Sequence, residues 1–258
     1  MIRTTLIGLL LSSTAMIAQS QNKTIPAELE APTTLPIVFT KTIVANHSHV
    51  GDAVTAKTSQ VVLLSNGAVI PSGAKVTGHV VAANGFSYDK TPYARQKAST
   101  LTIKFDSVQM GESTLPLITM VRAMADPITS EQAHFIGATD IDPQGTTTQI
   151  GGDEVTPRVS EVVNRDGDVV GYNKRGGVYA HLIASGGCDG SDVEVSMGIY
   201  SASACGLYGF GRMSATEMGS QAQPSTLTLV STHGSPKIWK DSTALLEVLP
   251  RQQNTASR

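Results

Sequence analysis

The sequence predicts an all-β fold: an antiparallel curled sheet, a barrel or barrel-like sandwich, carrying a Gly-rich, disulfide-containing insertion. Three observations predict it. Charged residues make up 16% and aromatics 5% of the 258 residues, with 24 glycines and 12 prolines, a balance that suits many short strands joined by turns. Apolar and polar residues alternate with period two, most clearly where Leu101, Ile103 and Phe105 face one way and Thr100, Thr102 and Lys104 the other. Turn chemistry punctuates these runs, above all at Ile70-Pro71-Ser72-Gly73.

The chain opens with Met1-Ile2-Arg3, an apolar run from Leu6 to Leu11 and the small-residue triplet Ala18-Gln19-Ser20. This is the layout of a secretory signal, so residues 1–20 are expected to be cleaved on export. The apolar run falls short of the roughly 20 residues a spanning helix needs, and no later stretch is apolar and long enough, so no transmembrane span is expected after cleavage. The expected location is secreted or periplasmic, compatible with outer-membrane association. Residues 21–34, with Pro26 and Pro32 among polar neighbours, read as a linker.

Strands are expected over Ile37 to Ala45 and Ala53 to Leu64, with Gly51-Asp52 turning between them. Pro71 presets φ for the first central position of a β-turn, and Gly73 suits the exit of a type I turn. One strand should end at Ile70 and the next begin at Lys75. Within that second strand Gly78 marks a bend, a bulge or a close approach of another backbone. Residues 84–98 form a polar loop in which Tyr88, Lys90, Tyr93, Arg95 and Lys97 interleave, a mixture that suits either an interaction loop or a solvated hairpin tip. Asp106-Ser107 breaks the alternation before Val108 and predicts a bulge. Gly111-Glu112 then turns the chain, and Leu115, Leu117, Thr119 and Val121 return as hairpin partner.

From 126 to 221 glycines become dense and the periodicity weakens, so this region reads as an insertion or subdomain. It holds a small hairpin around Asp166-Gly167 and a strand over Val178 to Ala184. Its two cysteines, Cys188 and Cys205, are expected to pair in an oxidising compartment. A catalytic thiol is set aside because neither has a neighbouring histidine and no Cys-x-x-Cys occurs. Strand signals resume at Thr226 to Leu229 and close with Thr243 to Leu249. The domain organisation is then a β-barrel-like domain over 35–125 plus 222–249, the insertion 126–221, and a disordered tail 250–258.

The Gly51-Asp52-Ala53-Val54 strand pair, the apolar-Ile-Pro-x-Gly-x-x-x-x-Gly pattern from Val69 to Gly78, the Leu101-Thr102-Ile103-Lys104-Phe105 strand and the closing Thr243-Ala244-Leu245-Leu246-Glu247-Val248 resemble the C-terminal β-barrel of the TrbI-like scaffold proteins of conjugation and type IV secretion. The resemblance covers roughly 35–125 and 222–249. It implies a barrel with a role in the envelope and supplies no catalytic residue. The chain differs from that family in lacking its inner-membrane helix and long proline-rich arm, and the stretch from Gly171 to Gly219 is too rich in glycine and acid for the family's membrane-crossing helix pair.

Functional chemistry is sparse. The formal net charge of −2 provides no global field for nucleic acid, and no nucleic-acid partner is expected. His47-Ser48-His49 supplies at most half of a zinc site, with no second ligand pair at a recognisable spacing. Asn164-x-Asp166-Gly167-Asp168 alternates oxygen ligands as calcium loops do, but its glycine falls too early and Arg175 stands where such loops carry glutamate. Carboxylates such as Asp140 and Asp142 have no readable separation, and no nucleophile elbow, zinc-binding His-Glu-x-x-His or phosphate loop occurs. The expectation is an exported, non-enzymatic structural or interaction module of the bacterial cell envelope, with no cofactor, no metal and room for an envelope protein partner. Two alternatives stand beside it: a glycan- or small-ligand-binding protein using insertion residues such as Tyr172 and Tyr208, and a carboxylate-dependent hydrolase.

Overall fold

The computed structural model describes residues 29–31, 33–64, 67–90, 92, 95–133, 147–152, 154–173, 180–183, 194–196, 200–201 and 204–251. The expected signal, Cys188, Tyr93, Asp140, Asp142 and the chain beyond 251 lie outside them.

The chain begins with β1 (Thr34–Phe39), β2 (Ile43–Val44), β3 (Ala53–Thr58), β4 (Val62–Leu63), β5 (Val69–Ile70), β6 (Lys75–Asn84), β7 (Ser99–Met110), β8 (Ser113–Pro116) and β9 (Thr119–Ala125), followed by the helix α1 (Pro127–Ala133). Next come β10 (Thr147–Thr148), β11 (Glu154–Pro157), β12 (Glu161–Asn164), β13 (Val169–Asn173), β14 (Ala180–Ile183) and β15 (Glu194–Ser196). The chain closes with β16 (Gly206–Tyr208), β17 (Ser214–Glu217), β18 (Thr226–Ser231), β19 (Lys237–Ile238) and β20 (Thr243–Val248).

A ten-stranded sheet runs in the order β16-β9-β20-β1-β3-β6-β7-β18-β17, with β8 on β7. It curls until its ends meet, giving a nearly closed barrel. The seam has no continuous ladder. Instead Val121 N–H donates to Met218 O (2.5 Å) and Ser225 N–H to Thr119 O (2.6 Å), tying β9 to the segment between β17 and β18. Alternation fills the interior: Leu35, Ile37 and Phe39 of β1 meet Leu101, Ile103 and Phe105 of β7, Leu227 and Leu229 of β18, and Ala244 and Leu246 of β20. The Phe39 and Phe105 rings pack tilted, 6.1 Å between centroids. Two short ribbons plug the ends. β4–β5 brings Val62 and Ile70 into the core at one end, and β2–β19 brings Ile43 and Ile238 in at the other.

The turn at Pro71 differs from its expected form by one residue. Ala74 N–H donates to Pro71 O, so Pro71 opens the turn rather than taking its first central position, and Gly73 occupies the third position with φ of 82°. That geometry needs glycine, as in a type II turn. The strand boundaries at Ile70 and Lys75 agree with the sequence pattern. Gly78 lies against β7 so closely that a Cβ would overlap the Lys104 carbonyl oxygen. Opposite it, Thr77 pairs with Ser107 and Gly78 with Phe105, leaving Asp106 as the extra residue of a bulge.

Other strands break sooner than the pattern suggests. β1 stops at Phe39, where Thr40 turns to bond Thr55, and β3 stops at Thr58. Thr58 Oγ1 donates to Pro71 O (2.6 Å) and accepts from Ala74 N–H, so its side chain holds the turn. The hairpin from Gly111 returns only as β8, because β9 leaves β7 and pairs with β20. β1 starts at Thr34 and Leu29 reaches the core, so part of the expected linker is built into the barrel.

Strands β10 to β15 form a separate six-stranded antiparallel meander within 126–221. The Asp166-Gly167 hairpin is present between β12 and β13. The barrel sheet also draws β16 and β17 from this stretch. No cysteine is free among the described residues, which include Cys205 but not Cys188.

Candidate functional site

The end of the barrel at β2–β19 carries the residues expected to form an interaction loop. The β6–β7 loop emerges there, and one buried side chain ties its two arms together. Gln96 Nε2 donates to Asp89 O (3.0 Å) and Gln96 Oε1 accepts from Asp89 N–H (3.3 Å), a two-way clasp across the loop. Pinning Asp89 and Gln96 sends their neighbours outward: Tyr88 is 70% exposed, and Lys90, Arg95 and Lys97 are exposed around it. The loop rests on two neighbours. Phe86 N–H donates to Ser235 Oγ (2.8 Å), and Gly85 abuts Asn46. The turn after Asn46 continues along β6, with Gly51 N–H donating to Val80 O and Val80 N–H to Asp52 O. This places Val50, 74% exposed, beside Val81, 39% exposed.

Of the five residues expected to form an interaction loop, Tyr88, Lys90, Arg95 and Lys97 are exposed next to the Asp89–Gln96 pair, and Tyr93 lies outside the described residues. Sequence reasoning missed Val50 and Gln96. A lone valine after His49 carries no pattern, and Gln96 looks like one more polar loop residue until its partner seven residues earlier is seen.

Among the described residues the histidines do not assemble. His47 and His49 are exposed on the turn after β2, and Asp52 Oδ2 accepts from His49 N–H (2.8 Å). His79 Nδ1 donates to Asp106 Oδ2 at 2.9 Å across β6 and β7, half-exposed. No group of three metal-ligating side chains is found among the described residues. At the calcium-like motif Asn164 Oδ1 accepts from Asp166 N–H (3.1 Å) and Asp168 N–H (2.8 Å), so the oxygen builds the turn.

A concave site lies where β9 passes into α1. A cavity of about 240 Å³ is lined by α1 residues Thr129, Gln132 and Ala133, by Thr148 to Gly152, and by Tyr208. Its described lining carries no charge. Gln149 borders it nearly buried, and its Oε1 is shielded with no hydrogen-bond partner. Behind the cavity, Ala123, Ala125 and Leu245 on the outer barrel wall pack with Ile150, Tyr200 and Ala204. The Tyr200 hydroxyl donates to Thr243 Oγ1 (3.0 Å), which also meets Ser130 Oγ (2.8 Å). Complete burial pushes the Tyr200 phenol well above its ordinary value. Further along β20, Arg122 Nη1 donates to Glu247 Oε2 at 3.2 Å, with Arg122 fully buried.

No family model matches the chain, and neither a curated protein nor a solved structure matches it. No helix among the described residues is long and apolar enough to cross a membrane.

Proposed function

We propose that the chain is an exported, non-enzymatic β-barrel domain that serves as a structural or interaction module of the bacterial cell envelope, contacting its partner through the β6–β7 loop. The observation that carries this reading is Tyr88: a 70% exposed aromatic on a loop held by the Gln96–Asp89 clasp. Exposing a large ring costs solubility, and fixing it in place removes the ordering entropy a partner would otherwise have to supply. The expected signal at residues 1–20 and the TrbI-like arrangement of turns and strands agree with such a role. Pairing of Cys188 with Cys205 belongs to the same reading, and such a bridge stabilises by about 3 kcal/mol in the chain-entropy model.

Site-specific photocrosslinking tests it. With p-benzoylphenylalanine at position 88, irradiation of intact cells should give an adduct to an envelope component, and the same group at position 112, on the far turn between β7 and β8, should not. Free monomer alone from position 88 would sink the reading.

The cavity at Tyr208 favours a second reading, the binding of a small neutral ligand rich in hydroxyl groups. Gln149 has an unused acceptor at its edge and Tyr208 offers a ring. Saturation-transfer NMR with glucose and N-acetylglucosamine should show contact that Gln149→Leu removes, and a spectrum without transfer at millimolar sugar would dismiss it.

A further inference from the structure

The β2–β19 end of the barrel differs in charge from the chain as a whole. The sequence carries a formal net charge of −2, yet Lys90, Arg95 and Lys97 of the β6–β7 loop share this end with Arg212, Lys237 and Lys240. Contacts hold those segments together. Ser231 Oγ donates to Arg212 O (3.0 Å), Lys237 pairs with Val44, and Lys240 N–H donates to Thr42 Oγ1 (2.9 Å). The carboxylates of the same end are Asp52, Asp89 and Asp241 together with Asp126 and Glu131, because Ala125 pairs with Thr243 just after β19 and Ser130 Oγ meets Thr243 Oγ1; they are fewer than the six cations, to which exposed Lys41 adds a seventh. Amid the cations stand the exposed apolar groups Tyr88, Val50 and Val81.

From this juxtaposition we infer that the end is a docking face for an anionic lipid surface. The inference rests on the interaction-module reading and names its partner. Two features favour lipid over an acidic protein. The cations are mostly lysine, which protein–protein interfaces disfavour and polybasic membrane contacts use, with aliphatic stems that lie along the boundary while the ammonium reaches phosphate. Tyr88 projects from the β6–β7 loop, and Val50 on its turn stands beside Val81 near the end of β6, so these groups suit shallow insertion among headgroups, where tyrosine is at home.

Co-sedimentation of the purified protein with vesicles tests it. Binding is expected to phosphatidylglycerol-containing vesicles and not to pure phosphatidylcholine vesicles, and it should weaken as sodium chloride rises. Combined Lys90→Glu, Arg95→Glu and Lys97→Glu should weaken it by roughly tenfold or more, and Tyr88→Ala should weaken it without changing the preference for the anionic lipid. All four positions are exposed, so unchanged thermal melts will show that the variants fold. Equal binding to both vesicles, no binding to either, or capture by polyglutamate without vesicle binding would overturn the inference. A protein adduct from position 88 together with absent vesicle binding would remove the lipid while leaving the interaction module standing.

Discussion

Ser225 grips Thr119 across the barrel seam with both its backbone and its side chain. Its N–H donates to Thr119 O (2.6 Å), its Oγ accepts from Thr119 N–H (3.0 Å) and donates to Leu117 O (2.8 Å), and its own carbonyl accepts from Phe105 N–H. One fully buried residue thus joins β9 to β7 where no ladder does. Its φ of 62° is uncommon for a serine and is maintained by these bonds.

Removing that hydroxyl should cost stability at the seam. Ser225→Ala leaves the Thr119 N–H and one Leu117 lone pair unsatisfied in a dry setting, which costs about 1–3 kcal/mol. Ser225→Gly relieves the backbone but loses the same bonds, so it should also destabilise, by less. Urea denaturation measures both, and an alanine variant as stable as the parent would contradict the clasp.

Gly78 should tolerate no side chain. Gly78→Ala sets a Cβ against the Lys104 carbonyl on the neighbouring strand, and the backbone can yield only by opening the β6–β7 ladder at the Asp106 bulge. A loss of about 2–3 kcal/mol is expected, against less than about 1 kcal/mol for Thr77→Ala beside it. Matched thermal melts would expose the error if the two fell together.

The Arg122–Glu247 pair should be costly to break and cheap to replace. Arg122→Met takes the guanidinium from the Glu247 carboxylate and Glu247→Leu takes the carboxylate from the fully buried guanidinium, each at about 3–5 kcal/mol. Joint replacement should recover a large part of that loss. A double-mutant cycle reads the coupling directly, and simple additivity of the two losses would show that the charges act independently.

Tyr200 sets an alkaline limit. Burial raises its pKa in the folded protein above the unfolded value, so the folded state favours the neutral phenol. Above about pH 10 the unfolded chain loses this proton while the folded one keeps it, and stability falls by about 1.4 kcal/mol per pH unit until the folded group also ionises. Tyr200→Phe should be weaker at neutral pH, through loss of the Thr243 bond, but decline less steeply between pH 10 and 11. Parallel slopes for parent and variant would rule out this contribution.

Most of the barrel was legible because its strands obey period two and its punctuation is chemical. Gly78 and Asp106-Ser107 were readable one by one, and the structure shows that they face each other as a single joint. The turn at Pro71 was misplaced by one residue because proline fixes its own φ but leaves open which turn position it takes; Thr58, far away in sequence, decides it. The partner of β9 was unreadable because Leu115, Leu117, Thr119 and Val121 alternate through the break after Pro116, and only β20 reveals the change of partner. At the candidate site the polar loop was visible, whereas its charge contrast was not. Arg212, Lys237 and Lys240 join that end through contacts that no local pattern encodes.

The parallel pairing of β16 with β9 has an evolutionary consequence. Ala125, where the chain departs the barrel, sits in register with Tyr208, where it comes back, and Asp126 N–H donates to Tyr208 O. Departure and return are stitched side by side, so segments of very different length can be spliced between them while the barrel keeps its shape. Tyr200 restrains that freedom. A newcomer at this junction has to bring its own cover for Ala123, Ala125 and Leu245, which makes the outer wall of β9 and β20 the gatekeeper of what the barrel can carry.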